Sequence, residues 1–429
     1  MTVWTPAART PAAQGLYAAA EADRAANPDR YRLGIDVLDA VVDRATAGTG
    51  AGELGEPTEW RTGLEQFLGS ADEDGRLNAL GARTTQDTAV AKLRARIATG
   101  RYLDDHPGVA TRRLERPIVI VGGWRTGTTF LFRLLASDPR LRAPLPIELT
   151  IPWRMAALDP VERDRRIEAS AAGHDVLHLL NPGMAAVHDS GARLPEECVL
   201  GMGTTLRNWA LTSTTRLDGY ASWLAGQSFA TEYAQHRRML QILDDRDGRR
   251  WLLKAPAHTA ELEHLAATYP GVCIVHLHRD IVETVASGAS LFATYRSTYS
   301  DHVDGHDVGR FQTDQTELWL RRAIAFRASQ AAQAVSLVDI HFTDLIADPA
   351  AVLRRIYAAA DLEPADTAAM INAHHASQPR HAKGAHRYRA EEFGLDPSVL
   401  RERMSFYAPL LDFDVPEGPR PDSMDPGGQ

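Results

Sequence analysis

The chain has 429 residues, with 47 basic and 56 acidic side chains giving a net charge of −9, and it is 44% hydrophobic and 24% charged. This is an ordinary globular composition, which excludes a disordered chain and any broad electrostatic attraction to nucleic acid or an anionic membrane. Two cysteines, Cys198 and Cys273, cannot make a disulfide framework, and neither an apolar run near ~18 residues nor a basic-then-apolar leader is found, so a cytoplasmic protein without integral membrane association is expected.

Apolar residues recur at helical spacing near 12–46, 58–69 and 88–102, interrupted by the glycine-rich stretch 47–55 and an acidic turn at 70–75. Residues 1–115 therefore read as an N-terminal helical extension packing on a catalytic domain over 116–412, with 413–429 as a flexible tail. From Arg116 the pattern changes. Ile118–Val121 is a short β-branched run, read as a buried strand, and it leads through a glycine loop into a helix over 130–137 that stops at Asp138-Pro139. Further strands are predicted at 251–253, 272–277 and 336–342, with helices at 159–180, 228–245, 257–268, 281–298, 315–334 and 348–360. Strands alternating with helices predict an α/β protein: a P-loop-type three-layer fold with a central parallel sheet, plus the helical extension.

Three strand ends carry chemistry. The loop Gly122-Gly123-Trp124-Arg125-Thr126-Gly127-Thr128-Thr129 has the G-x-x-x-x-G spacing of a phosphate cradle between strand and helix. Thr128 stands where a nucleoside triphosphatase places lysine, and the cation moves to Arg125, which suits a less charged group than a triphosphate. In the second segment, Arg279 follows the strand 272–277, Asp280 and Glu283 form a capping pattern, and Ser287 lies two helical turns on. Lys254, in Lys254-Ala255-Pro256-Ala257-His258, ends the strand 251–253 and points its charge at the same crevice.

Together these segments resemble the PAPS-dependent sulfotransferases (PAPS being 3′-phosphoadenosine-5′-phosphosulfate), in particular the bacterial and actinobacterial small-molecule or lipid branch, with similarity to the tyrosylprotein type. The resemblance covers roughly residues 116–412. It implies that Gly123, Trp124, Arg125, Thr126, Gly127, Thr128 and Thr129 cradle the 5′-phosphosulfate, that Arg279 and Ser287 hold the 3′-phosphate, and that Lys383-Gly384 supplies a further cation. Lys254, with Arg125, would stabilise the sulfuryl group and leaving oxygen in the transition state. Pro256 occupies the place of the histidine base of the aryl branch, so the base is sought elsewhere. Glu148, which follows the Asp138-Pro139 turn, is the first candidate, with His258, the pair Glu196/Glu197 and His188 behind it.

The implied reaction is in-line sulfuryl transfer from PAPS to a hydroxyl of a small-molecule, lipid or carbohydrate acceptor, leaving adenosine 3′,5′-bisphosphate. A nucleotide-dependent kinase and a catalytically silent nucleotide-binding protein remain the alternatives. His302/Asp304/His306 and His276/His278 have ligand-like spacings, but no metal is expected in this chemistry. Trp209, Tyr220 and Trp223 are candidates to wall an apolar acceptor pocket.

Overall fold

A computed structural model describes residues 3–187, 190–377 and 388–411. Five parallel strands, β1 (Ile118–Gly122), β2 (Leu141–Arg142), β3 (Arg250–Lys254), β4 (Cys273–His278) and β5 (Ser336–His341), form one sheet in the order β2-β3-β1-β4-β5. Four of the five were legible from sequence. The exception, β2, is two residues long and pairs Leu141 and Arg142 with Arg250 and Trp251, too short to leave a pattern.

The near-continuous apolar strands follow from burial on both faces. Ile118 and Ile120 of β1, with Leu252 and Val275, meet the helix after the glycine loop and the helix Pro349–Ala359. Val119 and Val121 turn the other way with Leu253 and Ile274, into a core shared with the N-terminal helices. The order of layers is thus helix, sheet, helix.

The extension comprises α1 (Pro11–Ala26), α2 (Leu38–Thr46), α3 (Pro57–Asp74) and α4 (Ala79–Asp105). Thr10 caps α1 and Asn78 caps α4 through their side-chain oxygens. The acidic turn expected at 70–75 is instead the last turn of α3, where Ser70 donates to Asp74 across one helical turn. Trp60, Leu64 and Phe67 of α3 and Leu93 of α4 belong to the same core as the sheet. The start of α4 is also joined to the end of the helix 281–299: Leu77 and Ser300 form an isolated antiparallel bridge, and Asn78 N–H donates to the Tyr299 carbonyl at 3.0 Å.

Beyond the loop lie α5 (Thr128–Leu135), α6 (Ala230–Leu243), α7 (Ile281–Tyr299) and α8 (Gly305–Arg327). The helix expected at 315–334 starts ten residues earlier, at the Asp304 cap, whose side chain accepts from His306 N–H. Phe393, Leu400 and Tyr407 of the C-terminal segment pack on α7 and α8. Trp209 and Tyr220 are buried, the first donating to Glu261 and the second to the Leu206 carbonyl, so they serve the core rather than an acceptor pocket. No helix among the described residues is long and apolar enough to cross a membrane. The tail proposed at 413–429 lies outside the described residues.

Candidate active site

The sheet order makes β3, β1 and β4 neighbours, so their carboxyl ends bring Lys254, the glycine loop and Arg279 to one crevice. Open parallel sheets bind ligands at such a place.

The loop is built for close backbone approach. A side chain at Gly123 would put Cβ 2.3 Å from the Thr284 methyl on α7, so only glycine fits there. Gly127 sits at φ +92° as the residue before α5 and offers no side-chain cap, which leaves the first amides of α5 to an anion. Arg125 also takes a left-handed conformation, at φ 58°. Thr126 is buried and donates to the Gly123 carbonyl at 2.9 Å, and Gly122 N–H donates to Thr259 Oγ1 at 3.0 Å. The Trp124 ring packs edge-on to Phe292 at 5.2 Å and against Trp319 at 5.8 Å. The half-buried ring is wedged against α7 beside the crevice.

Arg279 donates to the Arg125 carbonyl at 2.9 Å and to Glu283 at 3.2 Å, and its guanidinium lies 4.3 Å over the Phe342 ring. Asp280 caps α7, accepting from the amides of Val282 and Glu283. Ser287 is buried with its hydroxyl in no hydrogen bond, close to but outside bonding geometry with Tyr388. Tyr388 also donates to Glu283 at 3.3 Å, and burial pushes its phenol above the usual range. Arg279, Ser287 and Tyr388 thus frame one polar subsite. Tyr388 was missed as a site residue; its only sequence signal was its place in a locally basic stretch. Lys383 and Gly384 lie outside the described residues, as does His188.

Lys254 is buried at the end of β3 and donates to Thr129 Oγ1 at 3.1 Å and to Glu197 Oε1 at 2.5 Å. This joins the first turn of α5, the sheet and an acidic residue in one unit. Glu197 remains partly open, with 18% side-chain exposure. Glu148 is placed otherwise. One of its oxygens takes Arg142 at 3.2 Å and the other takes the Leu145 amide at 2.9 Å, both within a buried setting. Prolines at 144 and 146 start a short helix there, and Glu148 accepts the amide of its N-cap residue, Leu145. His258 is likewise committed: its Nδ1 bonds the Tyr233 hydroxyl at 2.6 Å, and burial pushes its pKa well below the usual value. Glu197, rather than Glu148 or His258, is the acid side chain brought to Lys254.

The segment carrying Glu197 is braced from two sides. Glu232 of α6 accepts the amides of Gly203, Thr204 and Thr205, and Lys92 of α4 donates to the carbonyls of Leu200, at 2.7 Å, and Met202, at 2.5 Å. Burial lowers the Lys92 pKa to about 8, partly offset by Glu232. Because the unfolded lysine keeps its proton to about 10.4, the unfolded state binds more protons above about pH 8 and stability rises with pH there. Urea denaturation at pH 7.5 and 9.5 should show a gain of about 1 kcal/mol in the wild type that Lys92→Met lacks. An identical slope in both proteins would remove Lys92 as its source.

A sequence model described as the sulfotransferase family matches residues 117–366, more than half of the chain. The omega-hydroxy-beta-dihydromenaquinone-9 sulfotransferase Stf3 of Mycobacterium bovis and that of Mycobacterium tuberculosis are each 25% identical over 271 residues, 57% of this chain. The matched region spans 62% of the length of these curated relatives. Among solved structures, sulfotransferase STF1 of M. tuberculosis H37Rv superposes with a TM-score of 0.74 at 27% identity, covering 87% of this chain and 100% of that one. Sulfotransferase STF9 of Mycobacterium avium gives the same TM-score at 23% identity, covering 89% and 97%, a likeness of fold. With the loop, Arg279, Ser287 and the strand-end lysine all inside the matched region, the chain belongs to the sulfotransferase family.

Proposed function

We propose that the protein transfers a sulfuryl group from PAPS to a hydroxyl of a small-molecule or lipid acceptor. The observation that carries this reading is the Thr129–Lys254–Glu197 unit beside a glycine loop that has threonine at the triphosphatase lysine position. The residues present fit the donor: the side-chain-free cradle at Gly123, the uncapped α5 amides and the buried, unbonded Ser287 hydroxyl are features an anionic nucleotide would use.

Bound PAPS would supply an electrophilic sulfur and a bisphosphate leaving group. The chain's own residues do the rest. The 123–129 backbone and Arg125 hold the 5′ end, while Arg279 and Ser287, with Tyr388 beside them, hold the 3′-phosphate that distinguishes PAPS from ATP. Glu197 orients the acceptor hydroxyl and takes its proton. Lys254, released from full pairing as Glu197 is neutralised, turns its charge to the leaving oxygen. An apolar alcohol is the acceptor class we favour, in line with the lipid named for the mycobacterial Stf3 relatives. Cys198 and Cys273 are free, buried thiols, and we place the protein in the reducing cytoplasm.

The test is ligand stabilisation followed by transfer. Adenosine 3′,5′-bisphosphate at a hundred times its Kd should add about 2.7 kcal/mol, raising Tm by several degrees without need of magnesium. Labelled PAPS should then pass its sulfuryl group to a long-chain alcohol or quinol. Stabilisation by magnesium-ATP alone would replace this reading with a kinase. Bisphosphate binding without transfer to any acceptor would leave a silent nucleotide-binding protein.

A further inference from the structure

Behind Lys254 lies a buried cluster that sulfuryl transfer does not use. Cys198 Sγ and one ring nitrogen from each of His236 and His258 all lie within 4.8 Å of one another. The three residues come from separate elements: Cys198 directly follows Glu197, His236 is on α6, and His258 is in the 3-10 turn after β3. Each is at most 2% exposed.

The hydrogen bonding of the two imidazoles is incomplete in the same way. Nδ1 of His258 bonds Tyr233 at 2.6 Å and Nδ1 of His236 bonds Tyr269 at 2.7 Å, whereas both Nε2 atoms are buried without a partner. An unmet buried polar group costs about 1–3 kcal/mol, so two imidazoles with such atoms, clustered with one thiol, need a physical reason. Metal-ligating histidines have this arrangement, with one nitrogen on the ion and the other donating its proton to an oxygen that sets the ring orientation.

We infer that Cys198, His236 and His258 form a binding site for one d10 transition-metal ion, Zn2+ or Cu+, held behind the catalytic crevice. Ligand bonds of about 2.0–2.1 Å to nitrogen and 2.3 Å to sulfur put donor atoms roughly 3.3–3.8 Å apart. The donor atoms therefore need to close by no more than about 1.5 Å to hold an ion. Burial keeps the imidazoles in their neutral, ligating form, with His236 down to about 3, and holds the thiol protonated, up to about 12, until an ion displaces that proton to solvent. No redox change is involved: one S–H bond breaks, and one metal–sulfur and two metal–nitrogen bonds form. Thiolate with two imidazoles suits both ions. With Cu+ the site is neutral and three-coordinate; with Zn2+ it keeps one positive charge and takes a water as fourth ligand.

The second His/Asp group behaves differently. His276, His278 and Asp339 are also close, but Asp339 is paired with the Arg327 guanidinium, and His278 bonds Tyr407 and Asp339 through its two nitrogens. That group is an ion-pair network with a resident cation.

The ion would tie the Glu197 segment to the turn beyond Lys254, a structural role independent of the donor and acceptor. The full chain, purified without metal-affinity resin from cells grown with added zinc or with added copper, should carry about one ion per chain by elemental analysis. Refolding with Co2+ should give a thiolate-to-metal charge-transfer band in the near ultraviolet. Cys198→Ser should abolish that band, and His258→Gln should cut occupancy at least about tenfold. Which medium fills the site distinguishes zinc from copper. Wild-type protein empty after both growths and after refolding with Zn2+, Cu+ and Co2+ would overturn the inference. So would full occupancy in Cys198→Ser. Should either variant fail to fold, the wild-type content and cobalt spectrum decide alone.

Discussion

Lys254→Ala should lower kcat by about a thousandfold, roughly 4 kcal/mol of transition-state stabilisation, while the Tm shift produced by adenosine 3′,5′-bisphosphate stays within a degree or two of wild type. Lys254 touches Thr129 Oγ1 and Glu197, not the Arg279–Ser287 subsite, so its charge matters most when negative charge grows on the leaving oxygen. Isothermal titration with the bisphosphate and steady-state kinetics on the same preparation separate the two effects. Parallel losses in binding and turnover would show that lysine merely helps hold the nucleotide. Lys254→Arg should recover only part of the rate, because a planar guanidinium cannot reproduce a point donor shared between a hydroxyl and a carboxylate.

The second large effect contrasts two glutamates. Glu197→Gln should reduce kcat by about a hundred- to ten-thousandfold with little loss of stability, as expected when a general base is removed. Glu148→Gln should do the reverse. It breaks a buried pair with Arg142 and weakens the bond from the Leu145 amide, at a cost of about 3 kcal/mol, while activity per folded molecule stays within a few-fold of wild type. Thermal melts and kinetics on both variants check this. A rate collapse in Glu148→Gln with an unchanged Tm would return the base to Glu148 and end the case for Glu197.

The sheet was legible in the sequence wherever a strand was long and buried on both faces. Ile118–Val121 and the run ending at His278 have no polar alternative, and glycine, Asp-Pro and Asp280 mark where neighbouring helices begin and end. Placing the three chemical segments at adjacent strand ends needed only the strand assignments and the habit of parallel sheets. Which glutamate meets Lys254 was not legible. Glu148 and Glu197 both follow proline-containing turns, and what separates them is Arg142, a partner that exists only because β2 pairs with β3. Tyr388 was hidden for a similar reason: its partner Glu283 and its neighbour Ser287 are about a hundred residues away in sequence. The Cys198–His236–His258 cluster shows no ligand spacing at all, since its members come from three elements.

The bridge between Leu77 and Ser300 has a consequence for how this chain is made. At about 5–20 residues per second, a ribosome finishes α4 roughly 10–40 s before it delivers Ser300. Through that interval the apolar faces of α3 and α4, with Trp60, Leu64, Phe67 and Leu93, await the sheet that covers them. The nascent extension is therefore a natural client for holdase chaperones. A gene fragment starting near residue 117 would meet the same problem permanently, yielding an exposed sheet face and insoluble protein rather than a minimal enzyme.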